Sequence, residues 1–208
     1  MSKKTKLTFV TILTFVRFPL VLLFFAGAIA YERYPLTWLF FTGFGCMIAS
    51  AITDLFDGYF ARKFKVVTQL GAHADPLMDK FFYLATFPLL VYVAAMNGNV
   101  RHATILLILT MLFLTRDQWV TFLRSIGAIY NVSGGAAFAG KLRTSITFPL
   151  ICVIYYFEEA PEKYQFINDI ALYAFEAVAL IINTASVYIY TKRYWPYLIK
   201  ATDLKEND

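Results

Sequence analysis

Long apolar segments separated by short polar stretches dominate this chain of 208 residues. The longer segments hold about 20 apolar residues, the length that an α-helix needs to cross a bilayer. The pattern predicts an all-α integral membrane protein, with residues 1–208 forming a single domain and short tails at 1–6 and 192–208. We expect a bundle of about six transmembrane helices, with spans near residues 7–31, 36–61, 74–96, 102–125, 141–157 and 167–190.

Composition agrees with this pattern, since 59% of the residues are hydrophobic and 18% are aromatic. The mean hydropathy of +0.58 is too high for an ordinary soluble domain. The net charge of +5 is carried by short loops and tails. It therefore indicates orientation in the membrane and contact with anionic lipid, and no binding of nucleic acid is expected. Cys46 and Cys152 lie inside predicted spans, so a disulfide framework is not expected.

The loop charges predict an orientation for the bundle, because cytoplasmic loops are enriched in Lys and Arg. The acidic segment 158–162 belongs to the opposite side, together with the loops at 32–33 and 101–102. Both termini are therefore predicted to be cytoplasmic, in a multi-pass protein of the cytoplasmic (inner) membrane. The basic residues on the cytoplasmic side are Lys3, Lys4, Lys6, Arg62, Lys63, Lys65, Lys141, Arg143, Lys192 and Arg193.

Four aspartates interrupt the apolar pattern in two pairs, Asp54 with Asp57 and Asp75 with Asp79. Residues three or four apart share one face of a helix, so the members of each pair point the same way. The segment 63–70 is long enough to turn the chain back. The two acidic faces are then predicted to meet just below the cytoplasmic surface.

Four carboxylates that face one another need a counter-charge, because like charges at close range oppose each other's ionisation. At membrane depth each Asp also costs roughly 2.5–3.5 kcal/mol to insert. Hard oxygen donors without Cys or His suit Mg²⁺, Mn²⁺ or Ca²⁺. Two divalent ions would balance the four charges, and such two-metal sites are typical of phosphoryl transfer. Gly58 leaves room for a bulky ligand, and Arg62 offers a fork for phosphate oxygens.

A second polar group lies in the later spans, where Arg116 and Arg124 are close to the same helix face. Lys141, Arg143 and Thr144 begin the fifth predicted span on the cytoplasmic side. These five residues are predicted to line a basic pocket beside the metals. Such a pocket suits an acceptor that carries its own phosphate.

Three isolated polar residues need an interpretation. Arg17 inside the first span is costly against lipid, so it should face the bundle or an aqueous cavity. It is either part of the site or a structural ion pair, with Asp117 as a candidate partner. His73 is interpreted as a solvated loop residue and not as a ligand or base, and His102 as an outer-loop residue without a chemical role.

The spacing of the acids resembles a known family signature. The chain reads Asp54-x2-Asp57-Gly58-x2-Ala61-Arg62-x8-Gly71-x3-Asp75-x3-Asp79. This segment is similar to the complete signature of the CDP-alcohol phosphotransferases. Those membrane enzymes move a phosphoryl-linked group from a CDP-alcohol to an acceptor alcohol.

The resemblance assigns roles to the signature residues. It implies that Asp79 is the general base and that Asp54, Asp57, Asp75 and Asp79 hold Mg²⁺ or Mn²⁺, with two ions per site. It also implies a homodimer. The residues that it places at the CDP-lipid are Thr53, Asp57, Gly58, Ala61, Arg62 and Gly71, with Thr53, Asp57 and Gly58 on the cytidine side.

Further segments resemble the phosphatidylglycerophosphate synthases, which join glycerol 3-phosphate to CDP-diacylglycerol. In this chain Asp117 and Arg143 replace the more usual Glu and Lys, and Leu7-Thr8-Phe9 stands where Asn-x-Pro is usual. The resemblance implies those two substrates, with Thr14, Arg17 and Asp117 as structural or site-lining residues. The segments are Thr11-x2-Thr14-x2-Arg17, Arg116-Asp117 with Leu123-Arg124, and Gly140-Lys141-Leu-Arg143-Thr144.

Other functions stay open at this stage. Inositol phosphate is the main rival acceptor, and serine fits less well because it lacks a phosphate. A membrane prenyltransferase also pairs Asp-rich helices with Mg²⁺, but it arranges its acids differently and normally has more spans. A cation channel or transporter with a carboxylate ring would leave Gly58, Arg62 and the basic pocket unexplained.

Overall fold

The computed structural model describes residues 2–66, 68–132 and 138–202, apart from the side chains of Leu55, Gln69, Leu70, Ala72, His73, Asp75, Ala139 and Lys141. Within these ranges the chain is helical and has no strand. A short 3-10 helix, Glu162–Tyr164, precedes the last α-helix. The α-helices are α1 (Lys3–Arg33), α2 (Thr37–Lys63), α3 (Gln69–Met96), α4 (Val100–Ile129), α5 (Phe138–Glu159) and α6 (Asp169–Thr202).

Five of these helices are long and apolar enough to cross a membrane: α1, α2, α4, α6 and the part of α3 from Pro76 to Met96. The predicted all-helical membrane fold is confirmed to that extent. In α5, the uncharged stretch between Arg143 and Glu158 is shorter than the length that an α-helix needs to cross a bilayer. The sixth span and the cytoplasmic position of both termini therefore stay predictions.

Helix α3 begins five residues earlier than its predicted span, at Gln69 instead of residue 74. Thr68 caps it, since the Gly71 amide donates to the Thr68 hydroxyl oxygen at 3.1 Å. The interpretation of His73 as a loop residue is therefore wrong, because position 73 is helical. Pro76 lies inside the helix and not in its first turn. The polar first turns of α3 lack the apolar periodicity by which the span was predicted.

Helix α6 also continues beyond its predicted span, from Tyr190 to Thr202. Tyr190 and Tyr194 are both fully buried one turn apart, so the buried face extends past the apolar run. The predicted tail at 192–208 is therefore helical as far as Thr202, and residues 203–208 lie outside the described ranges.

The chain divides into two compact units. Unit 1 comprises Met1–Leu107 and Ile151–Phe166, and unit 2 comprises Ile108–Leu150 and Ile167–Asp208. The prediction of a single domain stays a prediction.

Each unit has an aromatic core. In unit 1, α1 packs against α2 and α3. Its core includes the Tyr155 ring, which lies 4.9 Å from the Phe24 ring and 5.8 Å from the Phe40 ring. In unit 2, Leu123 of α4 packs in one buried cluster with Tyr190 and Tyr194 of α6. Apolar burial of this kind holds the polar side chains of each unit in place.

Candidate active site

Three aspartates of α2 and α3 converge on one buried arginine of α1. The Arg17 guanidinium donates to a carboxylate oxygen of Asp54, to Asp57 Oδ2 at 3.2 Å and to Asp79 Oδ1 at 3.1 Å. The Arg17 side chain is only 3% exposed, so it faces the interior, as its cost against lipid requires. All four residues belong to unit 1.

Helical spacing explains why these acids meet. Asp54 and Asp57 are one turn apart on α2, and both reach the same Arg17 nitrogen. Asp79 approaches from α3. The side chain of Asp75, one turn before Asp79, lies outside the described residues. The acidic faces of the two helices therefore meet at Arg17 through the three aspartates whose side chains are described.

The three aspartates differ in their access to solvent. The Asp57 side chain is 4% exposed, whereas those of Asp54 and Asp79 are 38% and 40% exposed. Asp57 thus forms the floor of the cluster. Asp54 and Asp79 form its accessible rim, where a soluble ion or substrate can arrive.

The donor chemistry of this cluster suits a divalent ion, although Arg17 now bridges the acids. In the described part of the chain, no three His, Cys, Asp or Glu residues are grouped closely enough to hold a metal ion. All three acids nevertheless offer carboxylate oxygens within hydrogen-bond reach of one guanidinium. Mg²⁺ and Mn²⁺ prefer such oxygens. The residues fit an ion if Arg17 yields some of its contacts, and their role as ligands stays a prediction.

A cavity of about 310 Å³ adjoins the acids in unit 1. Asp57 lines it together with four residues that the signature places at the CDP-lipid, namely Gly58, Ala61, Arg62 and Gly71. The remaining wall is mainly apolar and includes Val10 and Ala74, with Thr14 as a buried polar member. A cavity with apolar walls and a few convergent polar groups is typical of a ligand site.

Two of the predicted CDP-lipid residues have local contacts that refine their roles. A Cβ atom at Gly58 would lie 3.5 Å from Arg62 Nη1, which is an ordinary van der Waals contact. The described packing therefore does not require glycine at 58, and its missing side chain serves to keep the cavity open. Thr53 donates its hydroxyl to the Ser50 carbonyl oxygen at 2.7 Å, and its predicted contact with the cytidine stays a prediction.

In unit 2, one buried aspartate holds two buried arginines. Asp117 accepts from Arg116 Nη1 at 2.9 Å and from Arg143 Nη2 at 3.0 Å. Arg116 also donates to the Ser186 hydroxyl. Asp117 therefore pairs within α4 and α5, and Arg17, for which it was a candidate partner, binds the three acids of unit 1 instead. The substitutions of Asp for Glu and Arg for Lys preserve a short ion pair.

Tyr190 of α6 joins the third predicted arginine to this group. Its hydroxyl accepts from Arg124 Nη2 at 3.0 Å. Its ring centre lies 5.4 Å from the Arg116 guanidinium carbon and 5.3 Å from that of Arg124, within cation–π range. A Cβ atom at Gly140 would come within 2.6 Å of the Tyr190 hydroxyl oxygen. The glycine that precedes Lys141 therefore leaves the space that Tyr190 occupies.

The sequence interpretation missed Tyr190 and Ser186. Both lie on a buried polar stripe of α6 that also includes Glu176 and Asn183. Polar residues at helical spacing inside an apolar run are a signal of this stripe.

Two other predicted pocket residues add less to the described geometry. The Thr144 hydroxyl donates to the Gly140 carbonyl oxygen of its own helix at 3.2 Å. The side chain of Lys141 lies outside the described residues. The location of this pocket beside the aspartates stays a prediction.

A third polar cluster lies where the α3–α4 turn meets the end of α5 in unit 1. His102 is fully buried in α4 and pairs through Nδ1 with Glu158, so its interpretation as an outer-loop residue is wrong. Asn97 Nδ2 donates to the Glu158 carbonyl oxygen at 2.8 Å and to Glu159 Oε1 at 3.3 Å. Burial, followed by the negative charge of Glu32, raises the pKa of Glu159 to about 8. This cluster has a structural arrangement, since its groups bind one another.

This chain is similar in sequence to several known proteins. A CDP-diacylglycerol–glycerol-3-phosphate 3-phosphatidyltransferase of Rickettsia typhi is 36% identical over 97 residues, which are 47% of this chain and 49% of the relative. The similarity thus spans about half the length of that relative. A Bacillus subtilis protein of the same name is 28% identical over 152 residues, 73% of this chain and 72% of the relative. A cardiolipin synthase (CMP-forming) of Oryza sativa is 48% identical over only 46 residues, 22% of this chain and 14% of the relative.

A family model covers far more of the chain than the signature does. The model for CDP-alcohol phosphatidyltransferase matches residues 7–188. This range includes the acids of unit 1, the cavity beside them and the buried arginines of unit 2. The resemblance inferred from the signature is confirmed, and the chain belongs to the CDP-alcohol phosphatidyltransferase family.

Proposed function

We propose that this protein transfers the phosphatidyl group of CDP-diacylglycerol to glycerol 3-phosphate, which gives phosphatidylglycerophosphate and CMP. The observation that carries the proposal is the convergence of Asp54, Asp57 and Asp79 next to a cavity lined by Gly58 and Arg62. The names of relatives in two bacteria support the same pair of substrates. The product is a phospholipid precursor, so the reaction belongs to phospholipid biosynthesis.

The cavity is the proposed site for the CDP end of the lipid. Gly58 and Ala61 keep one wall low, so that a nucleotide can approach the α2 backbone. Arg62 presents a forked, permanently charged group to the pyrophosphate oxygens. Thr53 and Asp57 are proposed to contact the cytidine side, and Gly71 belongs to the wall contributed by α3.

The aspartates are proposed to hold two divalent ions, Mg²⁺ or Mn²⁺, in keeping with the general dependence of the family on divalent metal. Asp54, Asp57, Asp75 and Asp79 would be the ligands. Bound ions would neutralise charge on the pyrophosphate and so make CMP a better leaving group.

Asp79 is proposed to be the general base, because its carboxylate is on the accessible rim of the cluster. It takes the proton from the acceptor hydroxyl as the acceptor oxygen forms a bond to the lipid-side phosphorus. The bond between that phosphorus and the oxygen of CMP breaks, and CMP leaves with the electron pair. The buried floor position of Asp57 suits it to positioning and not to proton exchange.

The arginines of unit 2 are proposed to bind the phosphate of the acceptor. Arg116 and Arg143 share one acid, Asp117, and Arg124 binds the uncharged Tyr190, so these described pairs hold more arginines than acids. Lys141 and Thr144 are proposed to complete the pocket. A cationic pocket favours an acceptor with its own phosphate, such as glycerol 3-phosphate or inositol phosphate, over serine.

The test is release of CMP by the purified protein in detergent, from CDP-diacylglycerol with Mg²⁺. Four candidate acceptors are supplied separately: glycerol 3-phosphate, inositol 1-phosphate, serine and phosphatidylglycerol. EDTA and the Asp79→Asn variant are the controls. We expect release with glycerol 3-phosphate, and loss of release in EDTA. Release only with another acceptor would keep the reaction and change the substrate. A folded protein that releases no CMP under any condition would contradict the transferase and return attention to a prenyltransferase or a channel.

The homodimer and the orientation belong to this proposal as well. We propose that the protein acts as a homodimer in the cytoplasmic (inner) membrane, with the aspartates facing the cytoplasm, where CDP-diacylglycerol and glycerol 3-phosphate meet. Light scattering of the detergent complex tests the first point. Cysteine labelling at exposed positions near each end of α1 in intact vesicles tests the second.

A further inference from the structure

Arg17 pairs at once with the three signature aspartates whose side chains the structure describes. Its Nη2 serves Asp54 and Asp57 of α2, and its Nη1 serves Asp79 of α3. Its Nε is buried without a hydrogen-bond partner among the described residues. The position of the guanidinium is therefore fixed by the acids, through its two terminal nitrogens.

The same three carboxylates are among the ligands that the proposed function gives to divalent ions. An oxygen lone pair that accepts from a guanidinium N–H is not free to bind an ion. A guanidinium among the acids also repels a cation at close range. Arg17 and a divalent ion therefore oppose each other's binding at this site.

The acids need a positive charge even when no ion is bound. Asp57 is almost fully buried, and removing one partner of a buried ion pair leaves a charge that strongly destabilises the fold. Arg17 supplies that charge from the neighbouring helix. It thus links α1 to both acidic helices without an ion.

We propose that Arg17 is an internal counter-ion, which holds the aspartates together without divalent ions and competes with those ions for the same carboxylates. The inference rests on metal binding in the proposed function. By linkage, bound ions reduce the free energy of pairing between Arg17 and the acids. Arg17 reduces the free energy of ion binding by the same amount.

The test measures Mn²⁺ binding and not activity. The full chain is purified in detergent, stripped with EDTA and titrated with Mn²⁺, and free Mn²⁺ is followed by electron paramagnetic resonance. Arg17→Met removes the competing charge, while Arg33→Met removes an exposed charge from the far end of the same helix. We expect Arg17→Met to bind Mn²⁺ at least about tenfold more tightly than the parent, and Arg33→Met to bind it like the parent.

Thermal melting gives a second readout. Without ions, Arg17→Met should melt below the parent, since it lacks the guanidinium that pairs with all three described acids. With saturating Mn²⁺ its melting temperature should rise by more than that of the parent. Equal gains in the two proteins would speak against competition.

The outcomes separate this inference from the proposed function. A folded Arg17→Met variant with parental or weaker Mn²⁺ affinity overturns the competition and leaves metal binding intact. A parent that binds no Mn²⁺ overturns the metal in the proposed function, and the competition with it. If Arg17→Met does not fold without ions, Arg17→Lys replaces it, because lysine keeps the charge but loses the fork. Arg17→Lys should bind Mn²⁺ more tightly than the parent, and equal or weaker binding overturns the inference.

Discussion

The two units hold buried charge in opposite ways. In unit 1 three aspartates share one arginine, Arg17. In unit 2 two arginines share one aspartate, Asp117, and Arg124 binds an uncharged tyrosine. Among the described pairs, the Arg17 cluster therefore holds more acids than arginines, and the Asp117 cluster holds more arginines than acids. The sign of each difference is the one expected for the proposed ligands, a divalent cation at the Arg17 cluster and the acceptor phosphate at the Asp117 cluster.

The units also differ in which members of each group reach solvent. In unit 1 the rim acids Asp54 and Asp79 are more than one third exposed. In unit 2, Arg116, Asp117 and Arg143 are at most 10% exposed. The inner arginines are thus fixed by Asp117, whereas the acids of unit 1 stay open to exchange. This difference predicts that Asp117 acts on stability and that Asp79 acts on turnover.

The largest effect is expected for Asp117→Ala. It leaves Arg116 and Arg143 buried without their shared partner, and breaking a buried ion pair costs about 3–5 kcal/mol. Thermal melting in detergent measures the loss, with Gln118→Ala as a control, since Gln118 is an exposed neighbour on the same helix. A variant that melts like the parent would mean that the two arginines do not depend on Asp117.

The second largest effect is expected for Asp79→Asn, in unit 1. The amide keeps an oxygen for Arg17 but cannot take the proton of the acceptor, so turnover should fall roughly 100-fold or more. The half-saturating concentration of CDP-diacylglycerol should stay near the parental value. Steady-state CMP release measures both quantities, and Asp79→Glu restores a carboxylate as the matched control. Unchanged turnover in Asp79→Asn would remove Asp79 from the role of base.

A smaller effect is expected for Tyr190→Phe in unit 2. The variant keeps the ring between Arg116 and Arg124 but loses the hydroxyl that accepts from Arg124. The loss of one such hydrogen bond should raise the KM for glycerol 3-phosphate about 2–10-fold and leave the KM for CDP-diacylglycerol unchanged. Tyr188→Phe, at an exposed position on the same helix, is the control. A rise in the KM for CDP-diacylglycerol alone would mean that Tyr190 contributes to binding of the lipid substrate and not of the acceptor.

The acids of unit 1 were predictable from sequence because their chemistry and spacing are both local. Asp54 and Asp57 share a face by helical geometry alone, and Asp79 belongs to a second pair at the same kind of spacing. The partner of these acids was less accessible. Arg17 lies 37 residues before Asp54 in the chain. The apolar pattern around Arg17 predicts that its side chain faces the interior, but it does not predict which residues the side chain contacts.

The contacts within unit 2 were harder to predict for the same reason. Arg143 and Asp117 are 26 residues apart, and Arg124 and Tyr190 are 66 apart. Whether two such side chains meet depends on how the helices pack. The start of α3 was missed for a different reason, since a Thr68 cap and a polar first turn extend the helix outside its apolar run.

The third polar cluster offers a control for the comparison, because its groups bind one another. Glu159 is the last residue of α5, outside the candidate spans, and its pKa is raised to about 8 against 4.5 for an exposed Glu. A raised pKa means that the folded protein retains a proton that the unfolded chain has lost. The contribution of Glu159 to stability should therefore be greatest below pH 4.5 and be lost as the pH rises through about 8. Between pH 7 and 8 the expected loss is about 1 kcal/mol.

Glu159→Gln should flatten this pH dependence. Glutamine keeps an oxygen for the Asn97 amide and cannot lose a proton in this range. Thermal melting at pH 6, 7, 8 and 9 measures the profile, with Glu162→Gln as the control, because Glu162 is exposed in the adjacent 3-10 helix. At pH 9 the Glu159→Gln variant should melt above the parent, while CMP release at pH 7 stays at the parental level. A large loss of CMP release would mean that this cluster also serves the reaction, and that a charge excess alone does not identify the functional polar groups of this protein.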